Sequence, residues 1–161
     1  MSETPRRPSA GILLFRRGAG GTEVLLGHPG ERKFAGRDDG AWGIPKGEVD
    51  GDEPLFDVAR REFREETSFE APGAETTAIP LGEIRKRSGK VVTAWALEGD
   101  LDADAIRSNL FELEWPPRSG QRQSFPEVDR AGWFSLEAAR EKLNTGQHPF
   151  LDRLVASVTE A

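Results

Sequence analysis

The stretch from Pro54 to Phe69, PLFDVARREFREETSF, constrains the fold more than any other part of the chain. Leu55, Phe56, Ala59 and Phe63 recur at three- and four-residue spacing, the period of an α-helix with one apolar face. Pro54 suits a first helical turn, and Asp52 and Glu53 lie where a helix N-terminus favours negative charge. The same segment crowds Glu62, Glu65 and Glu66 together. At about 100° per residue, Glu62 and Glu66 stand about 40° apart and Glu62 and Glu65 about 60° apart. All three therefore leave one side of the helix, while Ala59 and Phe63 turn toward a core. Like charges at this spacing destabilise a helix by a few tenths of a kcal/mol. Their place near the C-terminus, against the helix dipole, adds roughly 0.3–1 kcal/mol each. Arg60, Arg61 and Arg64 offset part of this. Two readings stay open on the helix alone: a charged, solvated face, or a platform for a divalent cation.

The rest of the composition limits what such a platform would hold. The chain has no cysteine and two histidines, His28 and His148, which excludes disulfides, thiolate ligands, a cysteine nucleophile and a histidine-rich centre. A metal here needs oxygen ligands, which points to hard cations such as magnesium or manganese. The net charge of -6 disfavours long nucleic acid as a partner. It leaves a nucleotide possible if cations neutralise its phosphates. Apolar runs such as GILLF and VVTAWAL are too short to span a membrane, and MSETPRRPSA lacks the apolar core of a signal peptide. The expected location is cytoplasmic.

A length of 161 residues suits one domain with a real core. Residues 1–8 read as a flexible tail and 9–161 as a single domain. SAGILLFRR and TEVLLGH read as a hairpin around GAGG, followed by a polar loop at 29–40 and a short strand, AWGIP, at 41–45. After the glutamate helix come a strand ending near LGEIRKR, a hairpin tip at SGK, and a strand at KVVTAWALE. In FELEW, Phe111, Leu113 and Trp115 alternate with Glu112 and Glu114. PPRSGQRQSFPEVD reads as a long loop, RAGWF as a strand, SLEAAREKL as a helix capped by Ser135, and HPFLDRLVASVT as a final amphipathic helix. The pattern predicts a mixed α/β domain with helices packed on a sheet.

The register between the glutamates and the turn before them is more specific. GEVDGDEPLFDVARREFREETSF, Gly47 to Phe69, resembles the Nudix box of the Nudix hydrolases, matching at Gly47, Glu53, Arg61, Glu62, Phe63, Glu65, Glu66 and Phe69. Ser68 stands where the family usually has glycine, at a position where a helix ends in a left-handed turn. A leading hairpin, WGIPKG before the box and EVDRAGWFSLEAA after it fall in the order of Nudix elements, so that most of residues 9–145 fits. The resemblance implies an α/β fold, an αβα sandwich around a central mixed β-sheet. It also implies hydrolysis of a nucleoside diphosphate linked to another group, with Mg2+ or Mn2+ as cofactor.

The resemblance also implies roles. Glu62 and Glu66 are expected metal ligands, with Glu65 a ligand or the general base. Glu53 and Arg61 are expected to pair and orient the helix. The Lys46 carbonyl and Gly47 are expected beside the metal, and the Lys46 side chain near phosphate. Glu127, six residues before Trp133, is a candidate ligand or base outside the box, ahead of Glu112 and Glu114. Arg85 and Lys90, around the SGK tip, and Arg118 and Arg122 are candidate phosphate contacts. Trp115 is the candidate base-stacking aromatic; Trp42, Trp95 and Trp133 are expected in the core.

WGIPKG resembles dinucleoside polyphosphate hydrolases, yet those often carry a tyrosine after the box, and this chain has none. Arg85 stands near the position where the ADP-ribose subgroup often has a proline, and the NADH subgroup motif is absent. The leading expectation is a nucleoside triphosphate pyrophosphohydrolase, then a dinucleoside polyphosphate hydrolase. A Nudix-fold module that binds nucleotide without cleaving it is the alternative of another class. The expected partner is a small nucleotide, with a homodimer allowed by analogy.

Overall fold

Strand β1, Ser9–Gly18, lies in the middle of the sheet and is apolar on both faces. In the computed structural model, which describes residues 7–159, successive side chains of this strand enter two separate cores. Ala10, Ile12 and Leu14 face one side, Leu13 and Phe15 the other, as the two-residue period of a strand dictates. The tail expected at residues 1–8 lies outside the described residues apart from its last two positions.

Around β1 the sheet is mixed. Val91–Glu98 (β5) pairs with it in parallel, and Ile79–Arg85 (β4) lies antiparallel on β5. On the other edge, the end of β1 pairs with Gly21–Pro29 (β2), and its first residues pair with the short Lys46–Glu48 (β3), both antiparallel. Val128–Ser135 (β8) completes the sheet beside β2. Helix α1, Leu55–Thr67, covers one face through Phe56, Val58, Ala59 and Phe63. Helices α2, Leu136–Lys142, and α3, His148–Thr159, cover the other through Ala139, Phe150, Leu151 and Leu154. The architecture is the expected αβα sandwich with a central mixed sheet.

Two local expectations change. Residues 41–45 do not form a strand. Gly43 bridges Gly27 while Trp42 bridges Leu143, so neighbouring residues have different partners and no ladder builds. The segment expected as a loop at 116–129 contains strand β7, Arg122–Pro126, paired with β6, Leu110–Glu114, in a separate two-stranded sheet. Its polar, proline-ended sequence RQSFP carries no strand pattern because most of it is exposed. Gly11 explains how β3 approaches. A Cβ there would lie 2.7 Å from both the Pro45 carbonyl oxygen and the Lys46 Cβ, so only glycine lets this turn cross β1.

Candidate active site

Helix α1 is locked in rotation by Phe63, fully buried between the helix and β1. That register sends Glu62 and Glu66 toward β3. The helix then stops at Ser68, which takes the left-handed conformation with φ 69°. Its N–H donates to the Arg64 carbonyl at 2.8 Å, and its hydroxyl donates to the Arg107 carbonyl. Serine thus takes the backbone role expected of glycine and adds a tether to the following chain.

Glu66 is buried, 8% exposed, and its Oε2 accepts the Lys46 N–H at 3.0 Å. Burial, then the neighbouring Glu62 charge, pushes its carboxyl well up; the Lys46 ammonium opposes this. Glu62 lies against the Gly47 backbone so closely that a Cβ on Gly47 would overlap its carboxylate. Burial, then Glu65, raises the Glu62 carboxyl as well. Arg61 ties the group together. Its Nε and Nη2 grip both oxygens of Glu53 at 3.1 and 2.8 Å, and Nη1 reaches Glu62 at 3.0 Å and Glu65 at 3.4 Å. Glu53 is held below the ordinary carboxylate range by this pairing. Glu53 and Arg61 form an ion pair at 2.8 Å.

A cleft of about 390 Å³ opens beside Glu66. Lys46 from β3, Lys86 from the β4–β5 turn and Lys33 supply positive charge to its lining. Glu31 and Glu127 supply negative charge to the same lining. Burial, then Lys86 and Lys90, lowers the Lys46 ammonium; burial, then Lys90, lowers Lys86. Burial, then the Glu31 charge, raises the Glu127 carboxyl.

Other expected contacts fall elsewhere. Arg85 ends β4 exposed and outside the cleft lining, which its neighbour Lys86 joins instead. Lys90 donates to Glu48 Oε1 at 3.0 Å. Arg118 and Arg122 belong to the β6–β7 hairpin, outside the lining, and Arg122 pairs with Glu112 at 3.6 Å. Glu114 is exposed on the same hairpin. Trp115 lies under the Arg32 guanidinium, 5.7 Å from its ring centre, not in the cleft wall. Trp42 is buried, Trp95 packs edge-on against Phe56, and Trp133 donates to the Leu101 carbonyl. Sequence reasoning missed Lys33, Asn144 and Gln147. They come from loops far apart in the chain, and no local pattern marks them.

Among the described residues, no three acidic or histidine side chains are already drawn into a metal cage. The donor set nevertheless suits a hard cation. Two partly desolvated carboxylates, Glu62 and Glu66, repel one another, and the glycine at 47 keeps the space beside Glu62 clear of side chain. A divalent ion satisfies oxygen ligands of this kind and removes their repulsion. The Arg61 guanidinium bridges Glu62 and Glu65.

The sequence model described as NUDIX domain matches residues 5–154. No curated protein matches the chain. Among solved structures, the NUDIX domain of Shewanella oneidensis NrtR, complexed with ADP ribose, superposes with TM-score 0.68 at 17% identity, covering 97% of this chain and 90% of that one. An Ap4A hydrolase of C. elegans, in a binary complex, gives 0.64 at 20% identity, over 95% and 99%. A MutT protein of Methanosarcina mazei Go1 gives 0.61 at 24% identity, over 98% and 99%. At these identities the three likenesses speak for a shared fold.

Proposed function

The chain belongs to the NUDIX domain family, and on that premise we propose that it hydrolyses a phosphoric anhydride bond in a nucleoside diphosphate derivative, with a nucleoside triphosphate as the substrate. One observation carries this reading. Glu66, a buried acid fastened to the Lys46 N–H, forms a wall of the same cleft that gathers Lys33, Lys46 and Lys86. Desolvated carboxylates beside lysines suit a polyphosphate that arrives with its cation.

In this reading Glu62 and Glu66 would hold Mg2+ or Mn2+, close to the backbone at Lys46 and Gly47. The bound ion would neutralise phosphate charge and lower the pKa of a water. The water oxygen forms a new bond to phosphorus as an anhydride P–O bond breaks, leaving a nucleoside monophosphate and pyrophosphate. The proton released by the water goes to a carboxylate. Glu127 is favoured as that base over Glu65. It faces the cleft, and its carboxylate has no hydrogen-bond partner among the described residues, whereas Glu65 is engaged by Arg61. Burial, then the Glu31 charge, raises the Glu127 carboxyl, the direction that makes a carboxylate a stronger base. Arg61 and Glu53 act as positioning residues for the helix, and the lysines screen the phosphates.

The test is release of phosphate, pyrophosphate and monophosphate from a nucleotide panel with Mg2+, with Glu66→Gln as control. Turnover lost in the variant supports the assignment. A wild-type protein that cleaves no nucleotide with metal present refutes it and favours a binding module. Product analysis separates a triphosphate substrate from a dinucleoside polyphosphate.

A further inference from the structure

The Glu127 carboxylate lines the cleft without a hydrogen-bond partner among the described residues, so its backbone has to place it. Glu127 falls between β7, which ends at Pro126, and β8, which begins at Val128. No strand ladder fixes it there. Its carbonyl accepts the Gly30 N–H at 3.1 Å, and its N–H donates to the Asn109 carbonyl at 3.0 Å. The next N–H, of Val128, donates to Ser108 Oγ at 3.0 Å.

The same segment, residues 107–109, also holds the end of α1. The last carbonyls of a helix have no partner within it. Here the Asn109 N–H donates to the Glu65 carbonyl at 2.8 Å, and the Arg107 N–H to the Thr67 carbonyl at 3.1 Å. Ser68 adds a side-chain bond, its hydroxyl donating to the Arg107 carbonyl. Asn109 thus links Glu65 directly to Glu127 through its own N–H and carbonyl. The carboxylates involved also sense one another: burial comes first in raising Glu62 and Glu66, and the Glu127 charge adds to both.

We infer that Ser68 is a positioning residue for Glu127, its hydroxyl fixing residues 107–109 and so the place of that base relative to α1. The inference rests on the hydrolase reading, with Glu127 as the base proposed above. Glycine supplies a left-handed turn at no steric cost, so the turn alone does not account for a serine. What serine adds is the hydroxyl, and it goes to the segment that anchors Glu127. A base works only within hydrogen-bond reach of the proton it takes, and an error of about 1 Å can cost about a hundredfold in rate.

Two variants loosen this segment from opposite sides. Ser68→Gly keeps the left-handed turn and removes the tether to Arg107; Ser108→Ala releases the Val128 N–H. With Mg2+ and the nucleotide that the wild type cleaves, each is expected to lower kcat by about threefold to tenfold, the worth of one hydrogen bond. KM and Mn2+ affinity are expected to stay within about twofold, because the carboxylates of Glu62 and Glu66 and the cleft lysines are untouched. In a Glu127→Gln background, Ser68→Gly is expected to lower kcat no further, since residues that act as a unit are not additive. Hydrogen exchange on the unliganded proteins reads the same link without turnover. Ser68→Gly is expected to speed exchange at the Asn109 and Glu127 amides by about threefold to tenfold and to leave Leu13 in β1 unchanged.

A wild type that cleaves no nucleotide overturns the hydrolase reading and the positioning role with it. The remaining adverse results overturn the positioning role and leave the hydrolase reading standing. These are a Ser68→Gly loss that persists undiminished in Glu127→Gln, one matched by lost Mn2+ affinity, an unchanged kcat in Ser68→Gly, or a Glu127→Gln protein with wild-type kcat. Where Glu127→Gln leaves no measurable turnover, exchange at the Glu127 amide decides: faster in Ser68→Gly supports the role, and unchanged overturns it.

Discussion

Replacing Glu66 by glutamine deletes one buried charge and little else. The amide keeps an oxygen for the Lys46 N–H, so the 3.0 Å bond survives. What disappears is the desolvation of a carboxylate that is 8% exposed and its repulsion with Glu62 four residues earlier. The lost attraction to the Lys46 ammonium offsets part of the gain. An incompletely compensated buried polar group costs about 1–3 kcal/mol, and a like-charged pair at this spacing adds a few tenths. In EDTA at pH 8 the variant should therefore be more stable by about 2 kcal/mol, or roughly 4–8 °C in Tm for a chain of this size.

The pH dependence has a definite sign. Burial raises the folded-state carboxyl above its ordinary value of 4.5. Between those two values the native state holds more protons than the unfolded chain, so wild-type stability falls as pH rises through that window. Below pH 4.5 both states are protonated and this penalty vanishes, so the advantage of the variant should shrink there. A cation should reverse the ranking, because a ligand at one hundred times its dissociation constant stabilises the native state by about 2.7 kcal/mol. Urea and thermal melts at pH 4.5 and 8, with EDTA or Mn2+, measure all three effects. A variant no more stable than wild type in EDTA at pH 8, or one that gains as much from Mn2+, would refute the reasoning.

Substitutions at three further positions separate helix, glycine and cap. Gly47→Ala collides with the far end of the flexible Glu62 side chain, so it should lower Mn2+ affinity at least about tenfold, as loss of a metal-orienting contact does, while stability changes by less than about 1 kcal/mol. Titration calorimetry beside melts decides this, and unchanged affinity removes Glu62 from the metal site. Phe63→Ala opens a cavity in the fully buried contact between α1 and β1 and should cost about 3–5 kcal/mol, measured by urea unfolding. Ser68→Gly should be more stable than Ser68→Ala by about 1 kcal/mol, since both lose the hydroxyl bond to Arg107 but only alanine keeps a side chain at φ 69°; equal melting temperatures would contradict the strain argument.

Much of the frame was legible because burial on one face leaves a period in the sequence. The spacing of Phe56, Ala59 and Phe63 placed α1 and its rotation, and with it the side from which Glu62, Glu65 and Glu66 leave. The Ser135 cap and the last helix were readable in the same way: Ser135 does accept the Ala138 N–H, and α3 runs from His148 to Thr159. Strand β7 was not readable, since RQSFP pairs only with β6 and is largely exposed. AWGIP looked like a strand because it is apolar, but its apolar residues serve two different neighbours.

By itself the sequence determined the acidic helix, because its apolar period lies within one short, regular segment, and the family, because the match runs over residues 5–154. Which groups share the cleft with Glu66 was decided only by tertiary structure. Lys86 rather than Arg85 joins the lining because of how the β4–β5 turn is placed, and Gln147 arrives from more than one hundred residues beyond Ile44. Backbone pairing across the sheet sets those positions. Exposed lysines and lone amides bring no periodic signal of their own, so their meeting point exists only once the strands and α3 are assembled.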